Sequence, residues 1–445
     1  MMDQSFFVKT YGCQMNQYDS EKIDELLIHN GFKKAKNLEV SDVAILNTCH
    51  IREKASEKFY SDLGRLSIFK KNKEKLGEKM QIVVMGCVAQ AEGQEVIKRN
   101  KLVDYVVGPQ NIQTIPKLLK IKSKAAIHTD FLCEQKFSSF PKSYLEGTSR
   151  QITIQEGCDK FCSFCVVPYT RGNEYSRSVE EIYAEAQNLV KHGALEINLL
   201  GQNVSSYKSY IFDKSKKKLV GLSMLCNILS TLPELKRIRY ITSHPSDIDD
   251  ELILEHKNNK KLMPFLHLPV QSGSNKILKK MNRKHSRENY IELIKKIKCE
   301  VRDMAFSSDF IVGYPGETDD DFQETLDLIN KIEFASSYSF KYSPRPGTPA
   351  SLIKDRIDDS ILNKRLNKIQ SILNEQQKNF NETSLGKDVD VLFTNLGKKN
   401  NQYVGRTPFL QPVHVFSSSN LVGKILKIKI ERLTSFSFHG KILDS

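Results

Sequence analysis

No apolar run in the 445 residues approaches the ~18 needed to cross a bilayer as a helix. The N-terminus, Met1-Met2-Asp3-Gln4-Ser5-Phe6-Phe7, lacks the basic block and apolar block of a secretion signal. Both absences argue against a membrane or exported protein and for a cytoplasmic one. The nine cysteines are therefore expected as thiolates in a reducing compartment rather than as disulfides. What is present suits a soluble enzyme: 39% hydrophobic and 27% charged residues, in a length that suggests three domains at ~150 residues each. The net charge of +14 suits a polyanionic partner such as nucleic acid. The same excess would follow from a chain rich in Lys, Asn and Ile throughout, so charge alone does not choose.

The chemistry centres on Gly157-Cys158-Asp159-Lys160-Phe161-Cys162-Ser163-Phe164-Cys165. A C-x3-C-x2-C spacing forces three thiolates onto one small object. A disulfide cannot use three, and a closed zinc site wants four ligands. An iron–sulfur cube held by three thiolates keeps one iron open for a chelating small molecule. A zinc knuckle that borrows a distant fourth ligand is the other reading.

The first ~120 residues alternate strands and helices. Strand patterns fall at 5–10, 42–47, 81–85 and 103–107. Helical periodicity falls at 19–30, 52–75, from Cys87 through Ile97, and at 112–119. Such alternation implies an open parallel α/β sheet. Cys13, Cys49 and Cys87 each sit where a strand hands over to a helix. Those junctions share the carboxyl edge of such a sheet, where ligands bind. The three are expected to converge as a second three-thiolate site; the plainer reading is three small core residues. Residues 121–149 read as a linker. Cys133 lies there without an assigned role, and Cys226 and Cys299 read as packing residues of helices.

From 150 to 350, strand patterns at 151–156, 195–201, 237–242, 263–270, 305–313 and 336–343 alternate with helices at 179–192, 223–231, 247–257, 287–299 and 319–332. Six βα units suggest a partial β/α barrel, with its chemistry at the carboxyl ends of the strands. Polar loop residues Gln202, Asn203, Ser243, Gln271, Gly313 and Gly316 fall at those ends, with Phe164 in the cysteine loop. Together they suggest the mouth of a cofactor site; singly they would read as turns. His244 and His267 read as hydrogen-bonded structural residues. An amphipathic helix at 356–380 precedes five short strands at 389–393, 402–406, 412–416, 424–430 and 437–442. This suits a small OB-like barrel that binds RNA, or a structural cap.

The cysteine loop, with aromatic Phe164 before the last cysteine, resembles the radical S-adenosylmethionine (SAM) superfamily. The order of the three segments resembles the methylthiotransferases, which join an N-terminal cysteine domain (here 4–122), a radical SAM core (144–378) and a TRAM domain (380–445). Within that family, the motifs Thr10-Tyr11-Gly12-Cys13-Gln14-Met15-Asn16, Asn47-Thr48-Cys49-His50-Ile51-Arg52, Gly86-Cys87-Val88-Ala89-Gln90, Pro109-Gln110-Asn111 and Arg171-Gly172-Asn173-Glu174-Tyr175-Ser176-Arg177 are similar to the branch that makes 2-methylthio-N6-dimethylallyladenosine in tRNA. His50 and Ser178 depart from the commoner Ser and Pro, and neither departure replaces a cluster cysteine.

The resemblance implies two 4Fe-4S clusters. One, on Cys158, Cys162 and Cys165, would cleave SAM to a 5′-deoxyadenosyl radical. The other, on Cys13, Cys49 and Cys87, would present the sulfur. It implies a prenylated adenosine beside the tRNA anticodon as substrate, attacked at carbon 2, whose C–H bond is not acidic enough for a protein base. Two SAM molecules would be used per turnover, the second as methyl donor. A reductant such as flavodoxin or ferredoxin would supply the electron; the sulfur donor stays open, and a monomer is expected. Two alternatives stand beside this one. A related methylthiotransferase would act on threonylcarbamoyladenosine or a ribosomal-protein aspartate. A metal-stabilised RNA-binding protein would turn nothing over.

Overall fold

The computed structural model describes residues 4–50, 53–121, 126–131, 133–141, 146–213 and 216–443. Ile51 and Arg52 of the second motif, and the side chain of Cys133, lie outside what is described. Two compact units form: Met1–Tyr144 with Gln155–Asp159 and Cys165–Tyr175, and Leu145–Ile154 with Lys160–Phe164 and Ser176–Ser445.

The first unit is built on six parallel strands: β1 (Ser5–Thr10), β2 (Lys33–Lys34), β3 (Val43–Thr48), β4 (Gln81–Gly86), β5 (Tyr105–Val107) and β6 (Ala126–His128), in the order β2-β1-β3-β4-β5-β6. Helices α1 (Gln14–His29), α2 (Glu53–Lys75) and α3 (Cys87–Arg99) connect them. Both faces are covered, so β3 is buried along its whole length. Val43 and Ile45 pack with Ile23 and Leu27 on one side. Ala44 and Leu46 pack with Phe59 and Val88 on the other. Each fully buried aliphatic side chain contributes about 1.5–3 kcal/mol. The chain reverses direction across the sheet between β1 and β3, and this switch point is where ligands bind in open α/β sheets.

Two expectations fail here. Helix α1 starts at Gln14 rather than 19, because Cys13 takes the N-cap position and Met15 and Tyr18 are buried. The segment 121–149 is not a plain linker. β6 extends the sheet beside β5, and the short helix Cys133–Ser138 buries Lys136 completely.

The second unit holds two parallel three-stranded sheets. Ser149–Thr153, Glu196–Leu200 and Arg237–Tyr240 form one; Phe265–His267, Ala305–Val312 and Ser336–Lys341 form the other. A bridge between Ile238 and Leu262 joins them into a partial barrel. The helices are Val179–Lys191, Leu222–Ser230, Asp250–Asn258, Arg287–Glu300 and Asp319–Ile332. Ser178, Asp249, Ser286 and Thr318 cap four of them by accepting a backbone N–H. Two strands stop earlier than their apolar pattern, at Tyr240 and His267; beyond them Thr242 and Gln271 turn at φ +76° each, and Gln271 keeps a single bridge to Phe310. Cys226 lies in the core, as its pattern implies; Cys299 is exposed and is not a packing residue. A hairpin of Lys208–Asp213 against Lys216–Gly221 was not expected.

The helix Asp359–Glu382 buries Ile369 and Leu373 in the same core. Beyond it, Asp388–Leu396, Gln402–Arg406, Pro412–Phe416, Ile425–Leu433 and Phe438–Ile442 close into a five-stranded barrel, as the strand spacing predicts. The third and fifth strands pair in parallel, as an OB-like closure requires. Arg237 donates to the carbonyls of Arg406 and Asp390, and Arg239 to those of Pro408 and Thr407, so the barrel is anchored on the partial β/α barrel.

Candidate functional site

In the first unit the ends of β1, β3 and β4 are locked together by buried hydrogen bonds. Asn16 Nδ2 donates to the carbonyls of Tyr11 (2.9 Å) and Thr48 (2.8 Å). Asn47 Nδ2 donates to Asn16 O, 2.7 Å. Thr48 Oγ1 donates to Met85 O and accepts from Val88 N. Each cysteine of the second triplet leaves one of these three ends.

Gly12 shows how closely they approach. At φ +101°, a Cβ placed there would lie 2.2 Å from Cys49 Cβ and 2.6 Å from its Sγ. Only glycine leaves that space. Cys13 and Cys49 hydrogen-bond to one another, and this, with burial, pushes the Cys13 thiol well up. Burial pushes Cys87 up as well. The Arg171 guanidinium opposes both shifts. Ligation needs thiolates, so a metal would displace these protons.

Arg171 is the residue that sequence reasoning missed. It follows the cysteine loop, yet its guanidinium lies against Cys13 and Cys87. Nη2 is 2.9 Å from Asp19 Oδ2 and 3.1 Å from Asn16 Oδ1, and Nη1 donates to Glu156. Lys136 Nζ completes a quartet at 2.8 Å from Asp19 and 2.9 Å from Glu156. Burial works against the Arg171 charge, but Asp19, Cys87, Glu156 and Cys13 hold it firmly protonated. Arg171 lay inside a motif already singled out. Lys136 carried no signal at all.

Cys158 and Cys165 belong to the first unit and Cys162 to the second. Gly157 turns at φ +81°, where a Cβ would meet Asn173 O at 2.0 Å, and Cys158 N donates to Gly172 O. In the second unit, Ser163 N donates to Met281 O, and Asn282 Nδ2 to Phe161 O at 2.8 Å. Arg283 Nη1 is 3.6 Å from Cys162 Sγ. Within each unit, these bonds to the loop's main chain hold its two parts. Among the described residues no three Cys, His, Asp or Glu side chains are arranged to hold a single metal ion. A cube takes each thiolate on a different iron and needs three thiols around a small volume instead. The donor sets fit that requirement in kind.

The expected SAM residues fare unevenly. Gln202-Asn203 and Ser243 lie side by side: His244 N donates to Asn203 Oδ1. Asn203 is also bound to Asp247 and Ser205, so its side chain braces the loop. Ser243 Oγ is buried without a protein partner. Gln271 pairs with the strand Ala305–Val312. Gly313 and Gly316 sit at positive φ, where a Cβ would strike Leu362 and Lys280, so packing already explains them. Phe164 packs beside Ile277 and Tyr314. His244 is bound to Ser246, and His267 to Ser307, as structural residues are.

Three segments match known families: residues 5–108 the uncharacterized protein family UPF0004, 152–329 the radical SAM superfamily and 382–443 the TRAM domain. A protein of Rickettsia canadensis (strain McKiel) named tRNA-2-methylthio-N(6)-dimethylallyladenosine synthase is 50% identical over 447 residues, 99% of this chain and 100% of that one. Its counterpart in Rickettsia akari (strain Hartford) is 50% identical over 448 residues, with the same coverage. Among solved structures, the radical SAM methyltransferase TsrM of Kitasatospora setae superimposes with a TM-score of 0.58 at 13% identity, covering 79% of this chain and 74% of that one. The radical SAM enzyme OxsB gives 0.53 at 12% identity, covering 83% and 56%. These two likenesses speak to fold alone.

Proposed function

The chain belongs to the radical SAM family of tRNA-2-methylthio-N(6)-dimethylallyladenosine synthases, and from that premise we propose that it places a methylthio group on carbon 2 of a prenylated adenosine beside the tRNA anticodon. The observation that supports this reading most is the meeting of Cys13, Cys49 and Cys87 at three adjoining strand ends, with Arg171 acting on Cys13 and Cys87, in a chain that also carries the C-x3-C-x2-C loop. Cys158, Cys162 and Cys165 would hold the cluster that binds SAM, and Cys13, Cys49 and Cys87 a second 4Fe-4S cluster. When bound, these groups supply a radical able to take a hydrogen that no protein base can remove, and an open iron for sulfur.

The chain's own residues do the positioning. Gly12 makes room for Cys49, Asn16 and Asn47 hold the strand ends in register, and Arg171 brings a fixed positive charge to the second triplet. Arg283 stands beside Cys162, and Phe164 seats the loop on the core. A target in a single-stranded loop is easier to lift from its stack than one in a duplex. The barrel would grip the RNA beside it. The reading carries with it the division into 4–122, 144–378 and 380–445, a cytoplasmic location, a donor such as flavodoxin or ferredoxin, and a monomer. Gln202, Asn203, Ser243, Gln271, Gly313 and Gly316 remain candidates for the SAM mouth, with Asn203 and the glycines shaping its loops.

The test is anaerobic incubation of the iron-loaded protein with SAM, a reductant and tRNA, followed by nucleoside mass spectrometry. Prenylated tRNA should gain a methylthio group. Burying a five-carbon group contributes about 2–3 kcal/mol at ~25 cal/mol per Å2, so unprenylated tRNA should react far more slowly. Equal turnover on both substrates, or thiolation of a different nucleoside, overturns the assignment.

A further inference from the structure

The hairpin Lys208–Asp213/Lys216–Gly221 has its apolar residues on both faces. Its cross-strand pairs Ser209–Val220 and Ile211–Lys218 lie on one face. There Ser209 and Val220 are buried, and Ile211 packs on the core of the second unit. The opposite face carries Tyr210 paired with Leu219 and Phe212 paired with Lys217. That face points to solvent: Tyr210 is 50% exposed, Phe212 76% and Leu219 50%. A half-buried strand normally turns polar residues outward. Lys208 and Lys217 are exposed on this same face, and Lys216 and Lys218, exposed as well, stand on the opposite one. Lys217 Nζ sits 4.0 Å from the Tyr210 ring centroid.

We propose that this face is a second RNA-binding surface, separate from the C-terminal barrel, on which unpaired bases of the tRNA stack on Tyr210 and Phe212 while Lys208 and Lys217 meet its phosphates. Exposed aromatic rings interleaved with lysine are the platform that single-stranded nucleic acid uses, because every base has a π-face and every nucleotide a phosphate. The rings stand two residues apart on one strand, about 7 Å, a step an extended strand of nucleotides can match. The inference rests on tRNA being the substrate.

Binding of the full-length protein to prenylated tRNA, measured across a salt series, tests it. Tyr210→Ala and Phe212→Ala should each weaken binding, by about 5- to 150-fold for the absent base stack. Phe212→Leu keeps apolar bulk but no ring and should weaken binding nearly as much. Combined Lys208→Ala and Lys217→Ala should flatten the dependence of log K on log salt by about 0.7 for each phosphate no longer neutralised. SAM cleavage without tRNA should stay at the wild-type rate in all of them, which shows that the core is intact. Exposed Lys71, Lys75 and Lys79, all replaced by Ala, should leave the slope unchanged. Unaltered affinity and slope in the hairpin variants overturn the proposal while the wild type still binds tRNA. So does an equal loss of affinity in the Lys71, Lys75 and Lys79 variant, which would be a general effect of charge. So does unaltered tRNA binding combined with hairpin-dependent binding to vesicles of phosphatidylcholine and phosphatidylserine, which would make the face a membrane surface. A wild type that binds no tRNA overturns the functional reading itself.

Discussion

Arg171 Nη2 lies 2.9 Å from Asp19 Oδ2, across 152 residues of chain, with both side chains almost wholly buried. The pair ties the segment after the C-x3-C-x2-C loop to helix α1, whose N-cap is Cys13. Glu156 and Lys136 make the group neutral: two cations and two carboxylates, each facing the opposite sign. Buried charge is tolerable only when paired this fully.

Breaking the quartet should therefore be costly. Arg171→Ala or Lys136→Ala leaves buried carboxylates with half their partners, at a cost of about 3–5 kcal/mol. Urea denaturation of the variants should show midpoints displaced well below the wild type. Midpoints within error of the wild type would mean that water or rearrangement already satisfies Asp19 and Glu156.

The two cysteine triplets should have separable roles. Replacing Cys158, Cys162 and Cys165 with Ala should abolish 5′-deoxyadenosine formation and bring iron down to the content of one cluster. Replacing Cys13, Cys49 and Cys87 should spare slow SAM cleavage and leave the base without sulfur. Gly12→Ala should behave like the second set, because its Cβ would occupy the position of Cys49. Circular dichroism separates loss of a cluster from loss of the fold. Multiple-turnover thiolation by the variant lacking Cys13, Cys49 and Cys87 would make that site structural only.

The barrel should be probed by substitution rather than removal. Cutting near Leu385 would strip Arg237 and Arg239 of the four carbonyls they donate to. Lys427 and Lys429 alternate with buried Ile428 and Ile430, so both point outward. Lys424→Ala, Lys427→Ala and Lys429→Ala together should reduce the salt slope of tRNA binding by about 0.7 for each phosphate that goes unneutralised, with SAM cleavage unchanged. An unchanged slope would make the barrel a structural cap.

His256 should shape the acid limb of stability. Burial holds its folded pKa down to about 3, and its Nε2 pairs with Tyr240 OH at 2.7 Å. The unfolded chain takes up this proton near pH 6.5. Its contribution is complete above about pH 6.5 and is lost as pH falls toward 3, by up to about 1.4 kcal/mol per pH unit. Stability curves of wild type and His256→Gln, measured from pH 7 to 4, should converge as the pH drops. Parallel curves would show that the imidazole titrates freely in the folded protein.

The chain by itself determined whatever depends on neighbours in sequence. Strand patterns located Ser5–Thr10, Gln402–Arg406 and Pro412–Phe416, and helical periodicity located Asp319–Ile332 to the residue. The spacing of Cys158, Cys162 and Cys165 carries its own chemistry, because three thiols so close have few uses. Strand-to-helix junctions even suggested that Cys13, Cys49 and Cys87 should meet, since a parallel sheet gathers its carboxyl ends on one edge. Tertiary structure alone decided the charges. Lys136 lies in a short polar helix that reads as linker, and only Asp19, 117 residues away, and Glu156, 20 away, make its burial possible. Arg171 reads as one more basic residue until its carboxylates and thiols surround it. The outward face of the Lys208–Gly221 hairpin is of the same kind: no strand was expected there, and which side meets water depends on what packs beneath. Local patterns record the energies of backbone and adjacent side chains. The burial of a charge or the exposure of a ring is settled by partners that only the folded chain brings near.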